Sequence, residues 1–289
     1  MSEYIIITDT SADIPAEVLA KGQIHIIPMV YQLNGEEHPH KDPGTWDSKE
    51  FYDKLRAGGT GSTSQIPPVT YTEYFEPFLK EGKDILYISL SGGLTSTWQS
   101  SHLAATELME KYPERQISCV DSLAATGGQG ILVILACENQ EKGMSLEENT
   151  SWLEENRLHI CHWFTVDDLD FLKRGGRISP TIAWIGGKLK IKPILRIVED
   201  GTLAIPEKVR GSKTAMNTIV SKYISSGLNE EHPYVFLCHG DAAEQAEKEK
   251  AEILAAVPGA KVTILPMSPI IGIHCGPGVQ AVIYFGNNR

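Results

Sequence analysis

Residues 85–100 read ILYISLSGGLTSTWQS. The run Ile85–Leu90 is apolar and short, as a buried strand is. Six of the next eight residues, 91–98, are Gly, Ser or Thr, and a helical pattern starts near Thr97. Ile117–Val120 is the next strand, and residues 124–141 form an apolar helix. Strand, loop, helix and strand in this order predict a parallel βαβ unit. Ligands bind at the carboxyl ends of such strands, which draws attention to the loops 91–96 and 121–128. Upstream, Tyr4–Thr8 reads as a first buried strand, and Asp13 and Pro15 open a helix that Gly22 closes. Ile24–Tyr31 reads as a second strand, followed by an Asn34-Gly35 turn. Asp47 and Glu50 are spaced to cap a helix that ends at Gly58-Gly59. Residues 58–68, GGTGSTSQIPP, have no helical period and read as a loop.

Downstream the pattern changes. Residues 191–209 read as two strands joined through Asp200-Gly201, an antiparallel hairpin. Helices near 211–226 and 242–256 and strands at 234–238, 261–266 and 279–285 follow. The expected fold is α/β with two domains: an amino-terminal parallel βαβ domain over 1–156 and a carboxyl-terminal mixed α/β domain over 157–289. The acidic helix 145–156 is the connector.

The 289-residue length fits two domains at roughly 100–200 residues each. The formal net charge of −11 argues against nucleic acid as a partner, because phosphate contacts need clustered Lys and Arg. The first residues, MSEYIIITDTSAD, lack a basic segment followed by a long apolar one, so no signal peptide is expected. No run reaches the roughly 18 apolar residues of a membrane span. The five cysteines are irregularly spaced with no C-x-x-C pair, which reads as reduced thiols in a cytoplasmic protein.

Candidate binding residues fall in Gly- and hydroxyl-rich segments. Thr63-Ser64-Gln65 offers donors for an anion, although loop Ser and Thr also satisfy their own backbone. In 91–97, Ser91, Thr95, Ser96 and Thr97 lie where a helix begins, and free amides with the helix dipole favour an anion there. Helix capping is the plainer alternative. The segment matches neither G-x-x-x-x-G-K-[ST] nor G-x-S-x-G, so neither a nucleotide loop nor a hydrolase nucleophile is indicated. His274 stands among Gly272, Gly276 and Gly278, which permit close approach. Residues 173–179 (KRGGRIS) and 207–213 (EKVRGSK) are basic islands in an acidic chain, suited to a phosphate or an acidic partner. His159 and His162 flank Cys161 in a strand-like run, where i and i+3 point to opposite faces, and His38 and His40 share a face with no carboxylate or Cys at ligand spacing, so no metal is assigned.

Together these segments resemble the DegV family. Thr8–Pro15 is similar to its opening D-S-[TS]-A-D-[IL]-P, and Thr63-Ser64-Gln65 to its T-S-Q. Ser91–Ser100 resembles S-S-x-L-S-G-T-Y-Q-S, Arg174–Ser179 resembles [KR]-G-G-R-[IV]-S, and Lys208–Lys213 and His274–Gly278 match K-x-R-[GT]-x-[KR] and H-x-G-P-G. The resemblance implies a non-catalytic binding protein that holds a long-chain fatty acid between two α/β domains, with its tail in an apolar tunnel. It places the carboxylate at Thr63, Thr95 and His274, with Ser64 and Ser96 beside them. It further implies a separate ATP-dependent fatty acid kinase subunit as partner, engaged through Arg174, Arg177 and Arg210, and transient membrane contact for lipid exchange. No cofactor beyond the fatty acid ligand is implied. The chain departs from the family pattern at Gly92, Thr95, Ser96 and Ile66, so the shape of the anion pocket is its own.

Such a site is physically coherent. Burying a carboxylate costs several kcal/mol unless donors replace its water. Each hydrogen bond to a charged acceptor returns about 1.5–3 kcal/mol. Each buried CH₂ adds about 0.8 kcal/mol, so a tail of about sixteen carbons contributes roughly 10 kcal/mol gross. The competing reading is a stand-alone enzyme acting on a small phosphorylated or acylated substrate, with the loop 91–97 as an oxyanion or phosphate cradle.

Overall fold

The computed structural model describes residues 3–40, 46–179, 191–287 and 289. Strands β1 (Tyr4–Asp9), β2 (Ile24–Ile27), β6 (Asp84–Ser89) and β7 (Ile117–Asp121) form a four-stranded parallel sheet in the order β2-β1-β6-β7. Every residue of β6 is buried, because helices cover the sheet on both faces. Helix α4 (Thr97–Lys111) makes the crossover from β6 to β7 that the sequence predicts.

Two elements differ from the sequence reading. Ile24–Tyr31 is not one strand. Pro28 has no N–H for a ladder, and the chain leaves the parallel sheet there. Strand β3 (Met29–Leu33) joins β4 (Glu36–His40) and β5 (Gly61–Ser64) in a separate three-stranded antiparallel sheet. Thr63-Ser64 therefore lies on a strand rather than in a loop, with Thr63 opposite Tyr31. Gly61 lets this strand approach closely, since a Cβ there would stand 2.1 Å from Ile273 Cδ1. Helix α2 (Ser48–Arg56) is capped as read, Asp47 accepting from the Glu50 amide at 2.9 Å. Helix α1 (Ala16–Leu19) and helix α3 (Pro68–Lys80) complete this half.

The second half builds a six-stranded mixed sheet in the order β10-β9-β8-β13-β11-β12. Its strands are β8 (Ile160–Thr165), β9 (Ile191–Ile197), β10 (Leu203–Arg210), β11 (Tyr234–His239), β12 (Lys261–Pro266) and β13 (Gln280–Phe285). The hairpin through Asp200-Gly201 is present, and β9 and β10 pair antiparallel. Helices α6 (Leu146–Asn156), α7 (Asp170–Arg174), α8 (Ser212–Ser226), α9 (Ala243–Ala256) and α10 (Pro269–Cys275) accompany it. Helix α6 starts with a capping box between Ser145 and Glu148.

Helix α5 (Gly127–Glu141) joins the halves. Twelve of its 15 residues are buried and the three others, Glu138, Gln140 and Glu141, fall in its last turns, so the stretch 127–137 has no solvent face, as an apolar stretch of helix requires. One core cluster runs from Ile6 and Leu86 through Leu132 and Leu135 to Phe236 and Ile283, linking the parallel and mixed sheets. Glycines bring backbone close to it. A Cβ at Gly130 would lie 2.3 Å from the Asp13 carbonyl oxygen, and one at Gly128 2.0 Å from His162 Nε2. Polar bonds fix the same seam. The buried Asp13 carboxyl accepts from the Thr126 hydroxyl and, at 3.0 Å, from the Ser268 amide. Burial pushes Asp13 up to about 7.

Gly130→Ala is expected to lower unfolding stability by about 1–3 kcal/mol, because the close neighbour is backbone and cannot rotate away. Urea denaturation of the two proteins measures this, and an unchanged midpoint would show that the seam has slack.

Candidate functional site

Helix α10 carries the histidine singled out from sequence. Pro269 stands at its first position and Gly276, at φ 78°, ends it. His274 is 8% exposed. Its Nε2 lies 2.8 Å from Thr63 Oγ1, joining α10 to the edge strand β5. Burial first, and the nearby Arg177 second, push the imidazole down to about 3. It is therefore neutral at pH 7, with one N–H and one lone pair. Gly175 abuts the opposite ring edge, where a Cβ would stand 2.4 Å from Nδ1. The two basic-motif glycines thus have different duties: Gly175 makes room for His274, and Gly176 takes a left-handed turn at φ 73°.

The loop 91–96 is tied to its neighbours. Ser91 Oγ donates to the Gly201 carbonyl at 2.8 Å, and Asp121 accepts from the Gly92 and Leu123 amides at 2.9 Å each. Thr95 and Thr97 face each other, Oγ1 to Oγ1, at 2.9 Å.

Beside the Thr63–His274 pair opens a cavity of about 780 Å³ of atom-free space, mouth included. Its polar wall comprises Thr63, Ser64, Gln65, Thr95, Arg177 and His274. The rest is largely apolar. Phe164 and Ala281 are cross-strand partners, as are His162 and Ile283, and all four face the cavity. They are alternate residues of β8 and β13 and so share a sheet face. Ile197 and Leu203, paired across the hairpin, continue this wall. Met267, Ile270 and Ile271 close it from the α10 side. His162 and Thr126 are polar exceptions, Thr126 being engaged with Asp13. His162 is the titratable one of the two. Burial pushes it down to about 3, and its Nε2 lies 3.3 Å from the Ala125 carbonyl.

Of the residues singled out from sequence, Thr63, Ser64, Thr95 and His274 share this cavity. Ser96 is exposed and is absent from the wall, because the chain turns into α4 there and carries its side chain outward. The three arginines do not form one group. Arg177 lines the cavity, and its guanidinium donates to the Gly175 carbonyl. Arg174 is exposed, 4.6 Å over the Phe171 ring. Arg210 is exposed at the end of β10. Sequence reasoning missed the position of Arg177 and the apolar wall. The alternation at 162 and 164 and at 281 and 283 was the signal for the latter.

Among the described residues, no group of three or more His, Cys, Asp or Glu is placed to hold a metal ion. No helix among them is long and apolar enough to cross a membrane.

A family model described as "Uncharacterised protein, DegV family" matches residues 4–287. A DegV domain-containing protein of Clostridium perfringens is 37% identical over 289 residues, covering 100% of this chain and 99% of that one. A fatty-acid-binding DegV family protein from Thermus thermophilus superposes with a TM-score of 0.86 at 27% identity, covering 99% of this chain and 100% of that one. The fatty-acid-binding DegV of Bacillus subtilis gives 0.85 at 28% identity, with the same coverage. The match along almost the whole length, in sequence and in fold, shows that the chain belongs to the DegV family.

Proposed function

We propose that this chain binds one long-chain fatty acid, its tail along the apolar wall of the cavity and its carboxylate at the polar mouth. The observation that carries this reading is the division of one cavity into two chemistries. Hydroxyls, an amide, an imidazole and a guanidinium stand together at Thr63, Ser64, Gln65, Thr95, His274 and Arg177. The remaining wall is mostly hydrocarbon from Phe164, Ile197, Leu203, Ile270, Ile271 and Ile283. A single carboxylate on a long alkyl chain matches both parts at once. The two family members of known structure described above are named fatty-acid-binding proteins, which supports the same reading.

The head-group chemistry follows from the local charges. Thr63 and His274 hold each other in place, and a neutral imidazole at Nε2 can donate while the Thr63 hydroxyl turns to the ligand. Arg177 supplies positive potential, and among the described residues no carboxylate is a hydrogen-bond partner of its guanidinium. A fatty carboxylate entering here exchanges water for these donors, and the tail supplies most of the affinity.

We further propose that the bound acid is presented to a separate ATP-dependent kinase subunit that phosphorylates its carboxylate. The exposed Arg174 and Arg210 are the groups available to an acidic partner surface, whereas Arg177 stays with the carboxylate. In this scheme the chain contributes no nucleophile of its own, since the attacking oxygen belongs to the ligand.

Oleate binding by delipidated protein tests the first proposal. Thr63→Ala is expected to weaken it about tenfold or more, the loss of one bond to a charged acceptor, with unchanged circular dichroism. Retention equal to the parent protein would remove Thr63 from the head-group site. For the second proposal, Arg210→Ala is expected to leave oleate affinity unchanged and to lower acyl-phosphate formation in the presence of the kinase subunit. Undiminished formation would exclude Arg210 from that contact.

A further inference from the structure

On the other side of the mixed sheet, an open groove of about 1370 Å³ shares no lining residue with the acyl cavity. We propose that it is a second binding site, for a phosphate group. Its position follows from topology. Strands β8, β10 and β11 run in the same direction. Their carboxyl ends therefore reach one edge of the sheet, where α/β proteins place ligands. Two of them lead directly into helices: β10 into α8 and β11 into α9. The first turns of both helices line the groove, through Ser212 and Lys213 on one side and Ala242 and Gln245 on the other.

Neither helix has a side-chain cap, and α8 has no acidic residue in its first turn. The first α8 amide to find a partner in the helix pattern is that of Ala215, which donates to Gly211 O at 3.1 Å. The amides before it require acceptors from outside the helix. The uncapped amides at the start of α8 provide donors and a positive dipole end for an oxyanion, whereas the groove-lining amides of α9 are already bonded, Ala242 to His239 Nδ1 at 3.2 Å and Gln245 to the Ala242 carbonyl at 3.1 Å.

A second observation is independent of the helices. Thr165, at the end of β8, is 5% exposed, lines the groove, and its Oγ1 has no hydrogen-bond partner among the described residues. The same holds for Oε1 of Gln280, its cross-strand neighbour, which is 9% exposed. Buried hydroxyls and amides left without partners are costly, and a ligand oxygen would satisfy the hydroxyl. The Gln280 amide meets an anion equally well once turned to present its NH₂.

The groove's carboxylates are Asp167, Asp241 and Glu252. Asp167 is occupied by Lys192 at 2.6 Å and Asp241 by Arg56, which leaves Glu252 as the one groove carboxylate without an ion pair among the described residues. Lys213 and Lys248 face the groove and make no ion pair among the described residues. Two unpaired ammonium groups beside two helix starts, in a chain with net charge −11, mark a local site for a compact dianion. A phosphate monoester or free phosphate has that chemistry.

Calorimetric titration of the 289-residue chain with inorganic phosphate, with ATP and with vesicles containing phosphatidate separates the sources. Saturable binding in any arm is expected, and that arm identifies whether the phosphate is free, nucleotide-borne or lipid-borne. Lys213→Gln with Lys248→Gln, both on the exposed surface, should weaken it at least about tenfold while oleate affinity stays unchanged. Thr165→Val, which keeps the side-chain shape, should weaken it as well. No saturable binding in any arm, or binding that survives the lysine pair, would overturn the site. Unchanged affinity in Thr165→Val would equally overturn it, since the anion would then not sit at the strand end.

Discussion

Up to its last turns, helix α5 has no face to give to water, and that constraint organises the molecule. A helix buried on every side must be covered by more than one layer, so the parallel sheet and the mixed sheet pack on it from different directions. The glycines at its start allow backbone contact where side chains would hold the layers apart. Ala125 and Thr126, just ahead of its first turn, form part of the cavity wall. The cavity is thus the space where the two sheets diverge from the end of this helix, and its wall is assembled from both halves of the chain.

That origin explains the distribution of chemistry. The inward face of the mixed sheet is continuous core, and residues such as Phe164 and Ile283 are apolar because they would be buried with or without a ligand. The mouth is built instead from segment ends: the edge strand β5, the loop after β6, the last turn of α10 and the turn after α7. Segment ends carry free amides, hydroxyls and glycines. An amphipathic ligand with one polar end therefore fits the architecture without any special element. Burial keeps His274 neutral, so among the described residues that line the cavity Arg177 is the one that brings charge to the mouth. A lone guanidinium with neutral donors favours a carboxylate while leaving its oxygens less tightly held than a closed ion pair would.

The sequence made some of this legible and hid the rest for physical reasons. Buried parallel strands announce themselves by apolar runs such as that at 85–88, and the hairpin at Asp200-Gly201 by its turn residues. Strand β5, with the sequence GSTS, carries no strand signal of its own. Its pairing with β3 and the packing of Ile273 on Gly61 make it a strand, and both are tertiary facts. Pro28 was visible as a breaker, yet an apolar run on both sides masked the change of sheet. At the site, resemblance to known family motifs pointed to Thr63, Thr95 and His274, whereas residue chemistry alone left capping as an equal account. Arg177 lines the cavity and Ser96 does not, because side-chain direction at a helix start and after a short helix depends on packing that no spacing rule encodes.

The central claim is that one cavity, apolar in its depth and polar at its mouth, is shaped around a fatty acid. Mass spectrometry of the purified protein under native and then denaturing conditions addresses it most directly. The account predicts a native mass that exceeds the chain by one fatty acid, and release of that acid on denaturation. A native mass equal to the bare chain, unchanged after incubation with oleate, would contradict it.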